Sequence, residues 1–154
     1  MSAFPPPYHP EASTLPPDVM QRAVDALTPH AGDALQRDVP LAPYTTFKLG
    51  GPADLFWEVT SADELATALR IARSLDIPHH VLGTGANLVI GDHGVRGLVI
   101  RNAAEHLRIN PDTHQLHVES GATMYPDVIR AAVEAGLSGL EHYVGIPSTV
   151  GGAL

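Results

Sequence analysis

The sequence predicts an α+β fold built on a β-α-β unit, and three observations carry the prediction. Asp54 to Thr60 is rich in strand formers. Ser61-Ala62-Asp63-Glu64 has the spacing of a helix capping box. His79 to Leu82 is a second short strand, and it runs directly into Gly83-Thr84-Gly85-Ala86-Asn87-Leu88. That glycine-rich turn stands at a strand's carboxyl end, where ligands of open α/β sheets sit.

Bulk properties narrow the function classes. Nine basic against seventeen acidic residues give a net charge of −8, which argues against a broad nucleic-acid or anionic-membrane surface. With no cysteine there is no disulfide framework, thiolate zinc site or iron–sulfur cluster. The first ten residues lack the charged and apolar regions of a signal peptide. The lack of cysteine fits a cytoplasmic protein, and no apolar run approaches the roughly 18 residues a spanning helix needs, so a soluble, membrane-free protein is expected.

Residues 1 to about 17 hold six of the fourteen prolines and read as a disordered or polyproline-like leader. Pro16-Pro17-Asp18 then opens a short helix, Val19 to Leu27, ended by Thr28-Pro29-His30-Ala31-Gly32. Residues 1–38 are thus expected to form a leader and a loosely docked helix, and 39–154 the domain proper. Tyr44 to Leu49 is expected to be extended and closed by the Gly50-Gly51 turn, with Lys48 a surface charge.

In the helix after Ser61, Leu65, Ala68, Leu69, Ala72 and Leu75 recur on one face. Asp76-Ile77-Pro78 stops it. Leu88-Val89-Ile90 reads as strand-like, and a dinucleotide fingerprint would need glycine at Leu88 and a helix after it, so a Rossmann site is not expected. A turn at 91–94, a strand at Leu98 to Ile100, and a hairpin around Asn110-Pro111-Asp112-Thr113 follow. A second helix is expected from about Tyr125 to Ala135, with Gly136 at its left-handed C′ position.

The site is expected at two glycine-rich segments. Gly83 and Gly85 can adopt positive φ and present main-chain N–H groups to an anion such as pyrophosphate, with Thr84 and Asn87 as added donors. Leu137 to Leu154 mixes glycine, hydroxyl and apolar residues without periodicity, as suits a backbone that approaches a flat or phosphorylated ligand. The nine histidines show no metal-ligand spacing, and Ser120, Ser138 and Ser148 stand in no nucleophile elbow. Tyr44, Tyr125 and Tyr143 could stack on a flat ring ligand, but half-buried packing is the more frequent role of such residues.

Pro43-Tyr44-Thr45-Thr46-Phe47-Lys48-Leu49-Gly50-Gly51-Pro52-Ala53, Leu82 to Asn87, and Gly136-Leu137-Ser138-Gly139-Leu140-Glu141 through Gly145-Ile146-Pro147-Ser148-Thr149-Val150-Gly151-Gly152 occur together in this order. The combination, over about residues 40 to 154, strongly resembles the N-terminal part of the UDP-N-acetylenolpyruvoylglucosamine reductase family. The resemblance implies the vanillyl-alcohol-oxidase/PCMH-type FAD-binding fold, here its first subdomain and the start of the second. It also implies FAD held by Gly83 through Asn87 at its pyrophosphate, with Leu88 counted among the cofactor-binding residues, and by Gly139, Leu140, Glu141 and the turn Ile146, Pro147, Ser148, Thr149, Gly151 and Gly152 at its isoalloxazine and ribityl side. NADPH as hydride donor and a UDP-sugar substrate of peptidoglycan synthesis are implied with it.

Two positions depart from the family pattern. Ala86 stands where a serine is usual. Ser148 replaces a glycine, so that positive φ there would cost about a kcal/mol or more. The family's proton-donating serine and the arginine and glutamate that stabilise the enolate-like intermediate lie beyond the double glycine. No catalytic residue is therefore carried over, and the chain is expected to be truncated and inactive alone. The alternatives are another FAD-linked oxidoreductase of the superfamily and a non-catalytic flavin- or nucleotide-binding module.

Overall fold

The computed structural model describes residues 14–154; most of the proline-rich leader lies outside them. Helix α1, Pro17–Ala31, carries proline in its first turn beside Asp18, and it ends at Gly32, whose N–H donates to the Thr28 carbonyl. It runs four residues past the expected end. Pro29 sits in the last turn, where its missing N–H costs a single helical bond. The helix is not loosely docked. Ala23 and Leu27 are fully buried, and with Leu15 they join the core formed by Leu55, Trp57, Leu98 and Ile100.

Strand β1, Leu35–Pro40, pairs antiparallel with β2, Pro52–Val59, matching Leu35 to Trp57 and Val39 to Ala53. Between them the chain does not extend through Tyr44 to Leu49 as expected. Ala42–Tyr44 is a 3₁₀ turn, and Thr45 folds the next residues back by accepting the Leu49 N–H at 3.2 Å and donating to the Leu49 carbonyl at 2.8 Å. The Tyr44 ring packs 4.7 Å from Phe56. Lys48 is exposed and its ammonium donates to the Pro43 carbonyl at 3.1 Å.

Helix α2, Ala62–Ser74, starts as its capping box predicts, with the Ser61 hydroxyl accepting the Glu64 N–H at 3.2 Å. The return bond differs. The Glu64 carboxylate takes the Thr60 N–H at 2.7 Å instead of that of Ser61. Ala68 and Ala72 are fully buried against the sheet, flanked by Leu65, Leu69 and Leu75.

The sheet has strand order β1-β2-β4-β3, where β3 is His79–Leu82 and β4 is Val95–Asn102. Both β2 and β3 run parallel to β4, so the strand that comes last in sequence lies between the other two. The pairing of β2 with β4 slips by one residue between Ala53–Leu55 and Val95–Leu98. Gly97 absorbs the extra residue at φ 98°, where a Cβ would stand 2.0 Å from the Pro78 carbonyl oxygen. Asp54 is buried at this bulge. Its carboxylate accepts the Gly97 N–H at 3.0 Å and the Leu15 N–H at 3.1 Å, and pairs with Arg96 at 2.8 Å.

The hairpin forms as expected from β5, Leu107–Asn110, and β6, Gln115–Val118. Glu119 ties it to the sheet by accepting the Ala62 N–H at 2.8 Å and the His106 N–H at 3.0 Å. These two bonds hold the Glu119 carboxyl below the usual carboxylate range. Helix α3 spans Ile129–Glu134, and a wide turn over Met124–Val128 precedes it. It begins later than expected because Tyr125, the residue before Pro126, is held extended at φ −129°, ψ 132°. Gly136 takes the C′ position at φ 73°.

Candidate functional site

The parallel strands β2, β4 and β3 all end on one edge of the sheet, and an open cleft of about 750 Å³ lies there. The chain leaving β3 forms one wall with Gly83, Thr84, Gly85, Ala86, Asn87 and Leu88, and Ile146, Pro147, Ser148, Thr149, Gly151 and Gly152 form the opposite wall. Two segments far apart in sequence, each expected to bind ligand, therefore face one space.

The second wall is carried by main-chain pairing. Met124 donates to the Ser148 carbonyl at 2.9 Å, Val150 to that of Ala122 at 2.8 Å, and Gly151 to that of Ser120 at 2.9 Å. The segment is thus zipped along the chain that leaves β6. Helix α4, a single turn over Val150–Ala153, continues it. Ser148 adopts no positive φ, and its N–H donates to the Ile146 carbonyl at 2.9 Å, so the feared strain does not arise. The walls are joined directly by Thr84, whose hydroxyl donates to the Pro147 carbonyl at 3.0 Å. That hydroxyl proton, expected to serve a ligand, bridges the walls instead.

In the first wall only Gly85 takes positive φ, at 65°, whereas Gly83 does not. Gly85 is closed to a side chain by backbone, and Gly83 is crowded by the Thr149 side chain. A Cβ on Gly85 would lie 2.2 Å from the Tyr44 carbonyl oxygen, and one on Gly83 would lie 2.8 Å from the Thr149 hydroxyl. Thr46 fixes the loop from behind by donating its N–H to the Gly85 carbonyl at 3.1 Å. Among the described residues, no protein acceptor takes the main-chain N–H groups from Thr84 to Asn87, while Ala86-Asn87 forms a turn that brings the Leu88 N–H back toward the Gly85 carbonyl. Unpaired successive N–H groups on a glycine turn suit an anionic oxygen, which is what a dinucleotide's diphosphate offers. On this criterion the residues present fit FAD. The strand expected at Leu88 to Ile90 is absent; Leu88 and Val89 are exposed and Ile90 alone returns to the core.

Gly139, Leu140 and Glu141 lie outside the cleft lining. Leu140 faces a separate groove with His114, Leu116 and Leu137. The Glu141 carboxylate turns back on the Gly139 N–H at 2.6 Å; its own N–H and that of Gly139 hold it below the usual carboxylate range. The cleft also contains residues not expected there from the sequence: Leu65, Val81, Leu82, Asn102 and Ser120. Asn102 had a weak signal as a polar residue closing the apolar run Leu98-Val99-Ile100. Ser120 offers no local signal beyond a glycine neighbour, and it stands in no nucleophile elbow. Among the described residues no three histidines or carboxylates converge as metal ligands, and no helix is long and apolar enough to cross a membrane.

The FAD binding domain family model matches residues 53–154. The chain belongs to the FAD binding domain family. The UDP-N-acetylenolpyruvoylglucosamine reductase of Synechococcus sp. (strain RCC307) is 43% identical over 121 residues, which are 78% of this chain and 39% of that protein. The crystal structure of UDP-N-acetylenolpyruvylglucosamine reductase from Thermus caldophilus is 40% identical with a TM-score of 0.59, covering 77% of this chain and 40% of the other. The chain thus spans about two fifths of the length of these relatives. p-Cresol methylhydroxylase, at 20% identity and a TM-score of 0.57 over 80% of this chain and 26% of its own, shares the fold. The FAD binding domain family model and this likeness agree with the PCMH-type α+β fold that the resemblance implied.

Proposed function

We propose that this chain is the FAD-binding portion of an NADPH-dependent reductase acting on the enolpyruvyl ether of UDP-N-acetylglucosamine, a cytoplasmic step of peptidoglycan precursor synthesis. The observation that carries the reading is the wall Gly83 to Leu88, with its unpaired N–H groups, opposite the Ile146–Gly152 turn in a protein 43% identical to a named reductase. In this reading the N–H groups from Thr84 to Asn87 bind the diphosphate of FAD. Gly83 and Gly85 admit it closely, and the segment from Ile146 to Gly152 lines the flavin and ribityl side. Bound FAD supplies relay of a hydride between the nicotinamide and the carbon acceptor.

The chain's own residues contribute binding and orientation. None is assigned the proton transfer, so the isolated chain is expected to bind flavin without turning over substrate. The test is an absorbance spectrum after incubation with FAD and desalting. Flavin retained near one equivalent supports the reading. A colourless protein that also shows no thermal shift with excess FAD overturns it for this chain.

A further inference from the structure

The floor of the cleft holds a pair of polar side chains that neither glycine-rich wall accounts for. Asn102, the last residue of β4, is 4% exposed, and its amide is fixed at both ends. Its Oδ1 accepts the Ala104 N–H at 3.2 Å, and its Nδ2 donates to the Ser120 hydroxyl oxygen at 2.9 Å. The Ala104 contact settles which end of the amide is oxygen, so Nδ2 faces Ser120 as donor. Ser120 is itself held in place. Its carbonyl accepts the Gly151 N–H at 2.9 Å, and a Cβ on Gly151 would come 3.0 Å from the Ser120 Cβ, which brings the serine against the second wall.

A serine hydroxyl has one proton to give and two lone pairs. With one lone pair occupied by Asn102, the Ser120 proton has no acceptor among the described residues, and both side chains line the cleft. A buried amide that spends a hydrogen bond on orienting a hydroxyl, whose own proton is left over at a ligand-sized space, is arranged to serve an acceptor that arrives with the ligand.

Resting on the FAD-binding reading above, we propose that Ser120 is a ligand-contacting residue that donates a hydrogen bond to an oxygen acceptor of the bound flavin nucleotide, and that Asn102 is the positioning residue that aims it. The acceptor is either a phosphate oxygen or an oxygen of the flavin and ribityl part, and both present the same lone-pair chemistry to the hydroxyl.

The experiment measures dissociation constants by flavin fluorescence and thermal shift on the full 154-residue chain, using FAD, riboflavin and ADP as separate probes. Ser120→Ala is expected to weaken FAD about tenfold, with Ser120→Thr recovering most of the loss. Asn102→Ala is expected to weaken FAD by a smaller factor that vanishes in the Ser120→Ala background, a coupling that general damage to the fold would not produce. A penalty that persists with ADP places the acceptor in the diphosphate, and one that persists with riboflavin places it in the flavin and ribityl part. If wild type binds FAD and Ser120→Ala binds it within twofold as tightly, the Ser120 role is overturned while the FAD reading stands. If wild type binds none of the three probes, both fall.

Discussion

The Thr84 hydroxyl donates to the Pro147 carbonyl oxygen at 3.0 Å, joining two residues 63 positions apart. This bond holds the glycine loop after β3 against the turn that precedes α4, and so sets the width of the cleft. Thr84→Val keeps the shape and removes the donor. It is expected to lower stability by about 1 kcal/mol and to weaken FAD binding severalfold, with Thr84→Ser recovering both. Urea unfolding and flavin fluorescence titration on the same samples check it; unchanged affinity in Thr84→Val would show that the walls keep their spacing without the bond.

Gly85→Ala tests the cradle itself. The φ of 65° costs a non-glycine residue about 1–2 kcal/mol, and the new Cβ meets the Tyr44 carbonyl oxygen at 2.2 Å. The expected outcome is a loss above about 2 kcal/mol together with loss of flavin retention. Gly139→Ala, outside the cleft and with open space around its Cβ, is expected to leave flavin binding intact even though its φ of 111° brings some strain.

Asp54 joins the segment before α1 to the bulge between β2 and β4. Asp54→Ala leaves the Leu15 and Gly97 N–H groups and the Arg96 guanidinium without their shared acceptor, and is expected to cost about 3–5 kcal/mol. Adding Arg96→Met should restore part of that loss, because the uncompensated charge leaves with it. Leu27→Ala, in the buried face of α1, is expected to cost about 3 kcal/mol by calorimetry, a value that a loosely docked helix would not give.

Glu119 provides a pH test. Its folded-state carboxyl lies below the ordinary value of 4.5, so the stabilisation is present above that value and drains as pH falls through the folded value. The group is partly exposed, so the effect is expected to stay under about 1 kcal/mol. Glu119→Gln should flatten the pH dependence of unfolding free energy below pH 4.5 relative to wild type. Equal slopes would place the acid sensitivity elsewhere.

What the sequence revealed and what it hid follow one physical division. Helix α2 and β3 were legible because their signals are local: Ser61 caps within four residues, and Leu65, Ala68 and Ala72 mark a face by spacing alone. Strand β1 was missed because Leu35-Gln36-Arg37-Asp38-Val39-Pro40 is an edge with half its residues polar, and only β2 makes it a strand. Leu88-Val89-Ile90 reads as a strand by propensity, yet Leu88 and Val89 are held out to solvent beside the cradle. The two glycine-rich walls could be found as segments. Their meeting could not, since Thr84–Pro147 and Asn102–Ser120 are contacts across the fold with no periodic trace.

The placement of β4 between β2 and β3 dictates an order of assembly. While the chain is being made, the glycine loop leaves the ribosome before the strand that seats β3 in the sheet. Until residues 95–102 have emerged, β3 has no partner and the loop no frame, so the anion cradle comes into being only when the central strand slots in. Nascent chains arrested with residues 95–102 still inside the exit tunnel should therefore be captured by hydrophobic-binding chaperones, and elongation that brings those residues out of the tunnel should release them.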